Sequence, residues 1–333
     1  MKYFVLTLLF AGSLFAEPEV RIMIESSAKL LKIGSDTLTP GKTGIVLNGK
    51  ERGTYSHKIE GELLSYQGRQ FRNHLEVRQS NHKLTLTHTL PMEAYITGVI
   101  SSELPNSWPL EVLKAQAIAA RTYAIWQMYR KEHLESSVLD QVYHGVHREH
   151  ALAKQAVEET AGQVLTYDSK PAHTYFHACC GGHTASSLEV FGSDESYLQG
   201  VECRYCRSAP TFRWSYSLSR SELDKKLGSK IKDLQAFGET QSGRIKSFRF
   251  KSKPQLPDMK GTDFRRAIGY NALRSTLITK TSFGWRQAEF KGRGHGHGVG
   301  MCQWGALGMA KLGKEAKEIL ELYYPGTEVR KLY

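Results

Sequence analysis

The stretch Gly292-Arg-Gly-His-Gly-His-Gly-Val-Gly-Met-Cys-Gln-Trp-Gly-Ala-Leu-Gly-Met309 carries seven glycines in eighteen residues. Glycine tolerates positive φ and lets a backbone come close to its neighbours, so this segment can turn tightly and approach a ligand. Interleaved with the glycines are Arg293, His295, His297 and Gln303, which hydrogen-bond or carry protons. A linker this rich in glycine would be serine-rich and would lack His, Met and Trp. A helical pattern from Trp304 to Tyr324 follows at once. The segment therefore reads as a loop packed onto a helix start and forming the wall of a site; a purely structural turn is the plainer alternative. A His-Gly-His pair can also bind metal. A zinc hydrolase on His295 and His297 lacks the His-Glu-x-x-His spacing that would support it.

Outward from this loop the chain is α+β: an N-terminal β-rich region, 17–90, is joined to a mixed α/β core with a cleft, 91–333. In the first region apolar and polar residues alternate, as in Val20-Arg-Ile-Met-Ile24 and Leu84-Thr-Leu-Thr87, with turn signals at Gly34-Ser-Asp36, Pro40-Gly41 and Asn48-Gly49. Helical signals begin at Pro91, giving a short helix over Met92–Ser101 that is broken by Glu103-Leu-Pro-Asn-Ser-Trp-Pro109. A second helix, capped by Asn106 or Ser107, runs from Leu110 to about Lys131, and a third spans Arg148–Thr160. Two strands around Asp168-Ser-Lys-Pro171 follow, then a Cys and His cluster over 177–206. After it come a helix at Ser221–Leu227, a strand at Ile245–Phe250 and an exposed loop at Lys251–Lys260. No βαβ series and no dinucleotide fingerprint is present.

With 45 Lys+Arg against 33 Asp+Glu the net charge is +12, which suits an anionic partner. No long basic run or RNA-binding signature accompanies it, so nucleic acid is not expected. Lys2, the apolar run Tyr3–Phe10 and the small residues Ala11, Gly12, Ser13 and Ala16 have the form of a secretory signal, 1–16, which predicts export to the periplasm or cell envelope. An uncleaved N-terminal anchor is the alternative, although the run is shorter than the ~20 residues that span a bilayer comfortably.

Glu103 sits at a helix break between Ile100 and Leu104. A carboxyl half-buried there resists ionisation, which is what a general acid needs near neutral pH; a cap or a partner for Arg121 is the bland alternative. Glu93 falls in a first helical turn, where a negative charge answers the helix dipole. Gln116 and Arg121 are polar residues in an otherwise apolar, Ala-rich helix; a buried Arg there pairs with a carboxylate or an anionic ligand.

Pro91–Tyr123 together with Gly292–Ala306 strongly resembles the SpoIID/LytB family of sporulation and cell-wall proteins. Gln141-Val-Tyr143, Tyr175-Phe-His-Ala-Cys-Cys-Gly-Gly-His-Thr184, Ser242-Gly-Arg244 and Phe264-Arg-Arg-Ala-Ile-Gly269 look like the family's intervening motifs, in its order across about 240 residues. The resemblance implies a peptidoglycan lytic transglycosylase that cuts the bond between N-acetylmuramic acid and N-acetylglucosamine and leaves a 1,6-anhydro sugar. Glu103 maps onto its acid; Leu104 departs from the more usual Met. Gln116, Arg121, His295, His297 and Gln303 would bind glycan, with no cofactor required for catalysis. Tyr123 and Trp304 would stack on sugars or sit in the core. The partners implied are glycan strands, with denuded ones as the family's associated substrate, and an N-acetylmuramoyl-L-alanine amidase; a non-catalytic enhancer of such an amidase is the rival reading.

His177-x-x-Cys180 followed by Cys203-x-x-Cys206 gives a Cys₃His set with tetrahedral zinc spacing, with Cys179 and His183 as alternative ligands. A structural zinc is favoured; the rival is a disulfide, for instance Cys180 to Cys203 or Cys206. Zinc ligands reported in some relatives lie near Gln141-Val-Tyr143, where this chain has Asp140, His144 and His147 but no Cys, so that site does not carry over. Cys302 reads as a small packed residue.

Overall fold

The computed structural model describes residues 16–137 and 140–333. Apart from Ala16, the expected signal segment lies outside the described residues. Among the described residues no helix is long and apolar enough to cross a membrane. The chain is α+β and divides into two compact units: one holds the residues up to Asn106, Ala120–Thr166 and Val329–Tyr333, the other Ser107–Ala119 and Tyr167–Glu328.

In the first unit a five-stranded sheet runs in the order Ser56–Tyr66, Arg69–Ser80, Lys83–Pro91, Glu19–Ala28 and Leu134–Glu135, antiparallel except for the last pair. Alternation fixes its faces: Val20, Ile22, Leu75, Val77, Leu84 and Leu86 are all buried. A small four-stranded sheet spans Leu31–Ile33, Asp36–Pro40, Ile45–Leu47 and Lys50–Glu51. Its last turn is Asn48-Gly49, with φ of +49° and +80°, the type I′ geometry that matches strand twist. The same geometry at Gln67-Gly68 and Asn81-His82 closes the two long hairpins.

Helix α1 (Met92–Glu103) leaves the sheet directly from Pro91. It is apolar on nearly every side and buries Tyr95, Ile96, Val99 and Ile100. Gly98 is required by packing, since a Cβ there would lie 2.6 Å from the Tyr143 ring. Helix α2 (Leu110–Met128) contributes its C-terminal half to this unit and its N-terminal half to the other. Helix α3 (Ala151–Glu159) is capped by the His150 ring, which accepts the Ala153 N–H. Glu103 thus closes α1 rather than following it, and α2 ends three residues before the expected Lys131.

The second unit has one aromatic core. Sheets of Arg213–Ser219, Gln287–Arg293 and Ile278–Phe283, and of Lys230–Glu239, Ile245–Lys253 and Met259–Lys260, bury Phe248, Phe250 and Phe290. Five helices complete it: α4 (Ser187–Phe191), α5 (Arg220–Leu227), α6 (Gly261–Ile268), α7 (Gln303–Ala310) and α8 (Ala316–Tyr323). Phe264 of α6 meets the Phe248 ring at 4.0 Å between centroids. Ser219 and Glu222 form a capping box that starts α5. The pattern from Trp304 to Tyr324 is two helices, because Gly313 turns the chain at φ +80° between them. The Lys251–Lys260 loop is shorter than expected, since strands run to Lys253 and resume at Met259.

Arg121 is 0% exposed, and its guanidinium is paired within the first unit. Its Nε donates to Glu93 Oε1 at 2.9 Å and its Nη1 to the Gln163 carbonyl at 3.0 Å. Glu93 also accepts the Gly162 N–H at 3.0 Å and the Tyr333 hydroxyl at 2.6 Å. Removing one side of a buried pair strands the other, so Arg121→Ala is expected to cost about 3–5 kcal/mol. Urea unfolding of the parent and the variant checks this; a loss below about 1 kcal/mol, the scale of an exposed pair, would refute it.

Candidate functional site

Glu103 ends α1 with its side chain only partly exposed. The turn above it is tied down by Ser102, whose hydroxyl donates to the Gly98 carbonyl at 2.8 Å. Leu104 then takes extended backbone and donates its N–H to Ile100. The carboxyl faces the Gln141-Val-Tyr segment, and the Val142 N–H donates to Oε1 at 3.2 Å. The flanking residues of that segment act as anchors. Gln141 accepts from the Tyr95 hydroxyl at 3.0 Å and donates to the Ala120 carbonyl at 3.1 Å. Tyr143 is fully buried, with its hydroxyl 3.2 Å from His88 Nδ1. The segment thus presents one backbone donor to Glu103 while the Gln141 and Tyr143 side chains hold it in place.

Arg121 was expected to bind ligand, and the structure corrects this: its guanidinium is sealed against Glu93. Glu93 in turn is the ion-pair partner and not merely a charge at a helix start. Tyr123 is buried, its hydroxyl 3.0 Å from Asp140 Oδ1.

In the second unit the glycine-rich loop lies against Tyr175–Ala185. Gly294, Gly296, Gly298 and Gly300 all have positive φ, and the residues between them alternate in direction. At Gly298 a Cβ would collide with the Arg244 guanidinium, and at Gly300 with the Tyr175 carbonyl. The loop's richness in glycine is thus a packing requirement. Backbone bonds Cys179 N–H to His295 O (2.9 Å) and His295 N–H to Cys179 O (2.7 Å) staple it down.

His295 and His297 are both part-exposed. The His297 ring is fixed in one tautomer: Nδ1 accepts the Val299 N–H at 3.1 Å, so Nε2 carries the proton and donates to the Phe176 carbonyl at 2.9 Å. Burial, with Arg265 and Arg244 nearby, pushes its pKa down to about 4. His295 is also shifted down, by burial and then by Arg265 and Arg274. His297 sits among rings, 5.4 Å from both Phe191 and His177 between centroids. It borders a cavity of about 610 Å³ whose cations are Arg244, Lys246, Lys260, Arg265 and Arg266. Arg265 donates to the Leu273 and Arg274 carbonyls and lies 4.7 Å from the Tyr270 ring centroid. Three of these cations come from Ser242-Gly-Arg244 and Phe264-Arg-Arg266, motifs for which the sequence offered no role.

Gln116 and Gln303 face each other, Gln303 Nε2 lying 3.4 Å from Gln116 Oε1. Gln116 is 0% and Gln303 6% exposed, which corrects the expectation that they line a glycan surface. Trp304 packs edge-on against Trp108 at 5.3 Å.

The cysteines also differ from expectation. Cys180, Cys203, Cys206 and Cys302 are buried with their sulfurs all within 4.8 Å of one another. Cys302 takes the place assigned to His177 and is no mere packing residue. The reason is register: Phe176–His177 pairs in parallel with Met301–Cys302. His177 then turns its ring toward His297, with Nδ1 donating to the Val299 carbonyl at 3.0 Å. All five cysteines are free thiols in the structure.

Comparison with known proteins gives the family. The family model described as "Stage II sporulation protein" (SpoIID) matches residues 80–167, and a domain of unknown function, DUF8618, matches 193–300. The stage II sporulation protein D of Bacillus subtilis is 32% identical over 267 residues, covering 72% of this chain and 74% of that protein. An uncharacterized protein of Brachyspira hyodysenteriae is 34% identical over 264 residues, covering 75% of this chain and 69% of that one. The amidase enhancer of Bacillus subtilis is 30% identical over 286 residues, 70% of this chain and 40% of that protein. The chain belongs to the stage II sporulation protein D family.

Histidines whose folded pKa lies below the ordinary ~6.5 refuse protons that the unfolded chain accepts. Their stabilisation is complete above about pH 6.5 and is lost as pH falls toward the folded value. His88 and His297, both at about 4, and His177, pushed well below the usual range by burial, act together here. Unfolding free energy should therefore fall as pH drops from about 6.5 toward 4. In an NMR titration the His88 and His297 rings should stay neutral down to about pH 5; a midpoint near 6.5 for either would contradict the geometry.

Proposed function

We propose that this chain is a cell-wall enzyme, a peptidoglycan lytic transglycosylase exported to the envelope, with Glu103 as its single acid and base. The observation that carries the reading is the placement of Glu103: partly buried, at the end of a rigid apolar helix, with a backbone N–H orienting one carboxyl oxygen. Glu103 as the acid would donate its proton to the glycosidic oxygen between N-acetylmuramic acid and N-acetylglucosamine as that bond breaks. The resulting carboxylate would take the proton from the muramic 6-hydroxyl as its oxygen closes on the anomeric carbon. The nucleophile belongs to the substrate, so the 1,6-anhydro ring forms without water, and the step needs no second carboxylate of the kind ordinary glycosidases use. Holding the sugar in the reactive conformation supplies much of the acceleration.

The basic cavity beside His297 supports glycan as the ligand class. N-acetylmuramic acid bears a carboxylate, which the exposed Lys246 and Lys260 complement in a lining where cations outnumber the carboxylates of Glu189 and Asp263, while exposed Phe191 and Tyr270 offer flat faces for sugar rings. His295 would hydrogen-bond sugar hydroxyls and acetamides, while His297, whose two ring nitrogens are taken by Val299 and Phe176, would only shape the wall. The amidase enhancer among the relatives favours a second reading, in which the chain binds glycan and stimulates an amidase without cleaving.

The test is product analysis on amidase-treated glycan. The parent should yield anhydro-ended fragments, and Glu103→Gln should lower the rate at least about 100-fold, the usual contribution of a general acid, while still binding glycan. Absence of fragments from the parent, with amidase activity raised, would replace the enzyme reading with the enhancer.

A further inference from the structure

The cysteine cluster lies outside the chemistry just proposed, and its geometry asks for an occupant. Four buried sulfurs from three separate stretches of chain converge: Cys180, the Cys203-x-x-Cys206 loop, and Cys302. Tetrahedral zinc with Zn–S near 2.3 Å places its sulfurs ~3.8 Å apart. The cluster spans this value, with every sulfur within 4.8 Å of the rest and Cys180 Sγ 3.4 Å from Cys206 Sγ. A disulfide would need about 2.05 Å.

The surroundings are those of bound thiolates. Cys302 Sγ accepts two backbone N–H groups, from Cys180 at 3.2 Å and from Gly305 at 3.3 Å. The second makes this sulfur the N-cap of α7, a place ordinarily taken by an oxygen acceptor. The Tyr323 hydroxyl lies 3.2 Å from Cys203 Sγ, the kind of outer partner that orients a metal ligand. Gly305 keeps the space open, since a Cβ there would come within 2.7 Å of Cys203 Sγ.

An independent observation is Arg244. It is 3% exposed, and among the described residues its guanidinium donates to the carbonyls of Cys180 and His183, while its Nε has no partner. A buried guanidinium needs a compensating negative charge. Zn²⁺ held by four thiolates carries a net charge of −2 directly beyond the Cys180 backbone, which supplies it.

We propose that Cys180, Cys203, Cys206 and Cys302 bind one zinc ion, a structural tetrathiolate site that clamps the histidine loop to the Tyr175–Ala185 segment. Binding displaces the thiol protons, so the four sulfurs become thiolates as the ion enters and no oxidant takes part. Because Cys302 immediately precedes Gln303 and follows the loop bearing His295 and His297, the ion sets where that loop begins and ends.

The full chain, purified without chelator or reductant, should carry one zinc by elemental analysis. Denatured with EDTA, it should show five titratable thiols. Zinc below about a tenth per chain, both as purified and after incubation with zinc chloride, overturns the site, and fewer than five thiols assigns the sulfurs to disulfides. Cys302→Ser should lose at least nine-tenths of its zinc, and His177→Ala should keep it; the opposite result returns the ligand set to three cysteines and a histidine. Should Cys302→Ser fail to fold, cobalt(II) loaded into the parent decides. Sulfur-to-metal charge transfer of four thiolates supports the site, and a spectrum of three thiolates with one nitrogen overturns it. None of these readouts depends on glycan cleavage.

Discussion

Arg121 has no route to water, and a guanidinium stripped of its hydration must be satisfied completely or expelled. Glu93 and the Gln163 carbonyl accept from it, and Glu93 is held in turn by the Gly162 N–H and the Tyr333 hydroxyl. The same pair fixes α2 against the start of α1, and α1 carries Glu103 at its far end. A rigid helix transmits position over its whole length, so the acid's location follows from an electrostatic requirement two turns and more away. Burying charge at this point gives little net stability; what it gives is a single permitted register between the two helices.

The second unit is organised by an opposite principle, the removal of side chains. Every second residue of the loop 294–300 lacks a Cβ, and what fills the released space is backbone, a guanidinium or a ring. The residues between the glycines are left pointing into defined surroundings, with His297 held in one tautomer by its own chain two residues on. With both ring nitrogens engaged by neighbouring backbone, His297 is a fixed part of the packing here.

Much of this was legible in the residues. Asn48-Gly49 reads as a turn between strands and closes a hairpin; the N-terminal alternation reads as short strands and forms them. Glu103 carries a charge beside a helix break among apolar neighbours, but a cap or an ion pair explains that pattern equally well, and only the family motif singled it out. What escaped were pairings across sequence distance. Glu93 has an adequate local reason to exist, so nothing in its neighbourhood announces Arg121. Gln116 and Gln303 look like ligand-binding amides until each proves to be the other's partner. Cys302 was hidden for the same reason: ligand spacing is read within short stretches, and the fourth sulfur arrives through a parallel strand pair joining residues more than a hundred positions apart. His177 had the right spacing, but strand register turned its ring away. His88, Gln67-Gly68 and Asn81-His82 carried signals too weak to separate from ordinary surface sequence.

The two compact units are interleaved along the chain rather than placed end to end. The first cannot be finished without Val329–Tyr333, and the second borrows Ser107–Ala119 from inside the first. The Glu93 carboxylate, at the edge of the N-terminal sheet, receives its hydroxyl from Tyr333, 240 positions further along, so that sheet can form during synthesis long before this contact is available.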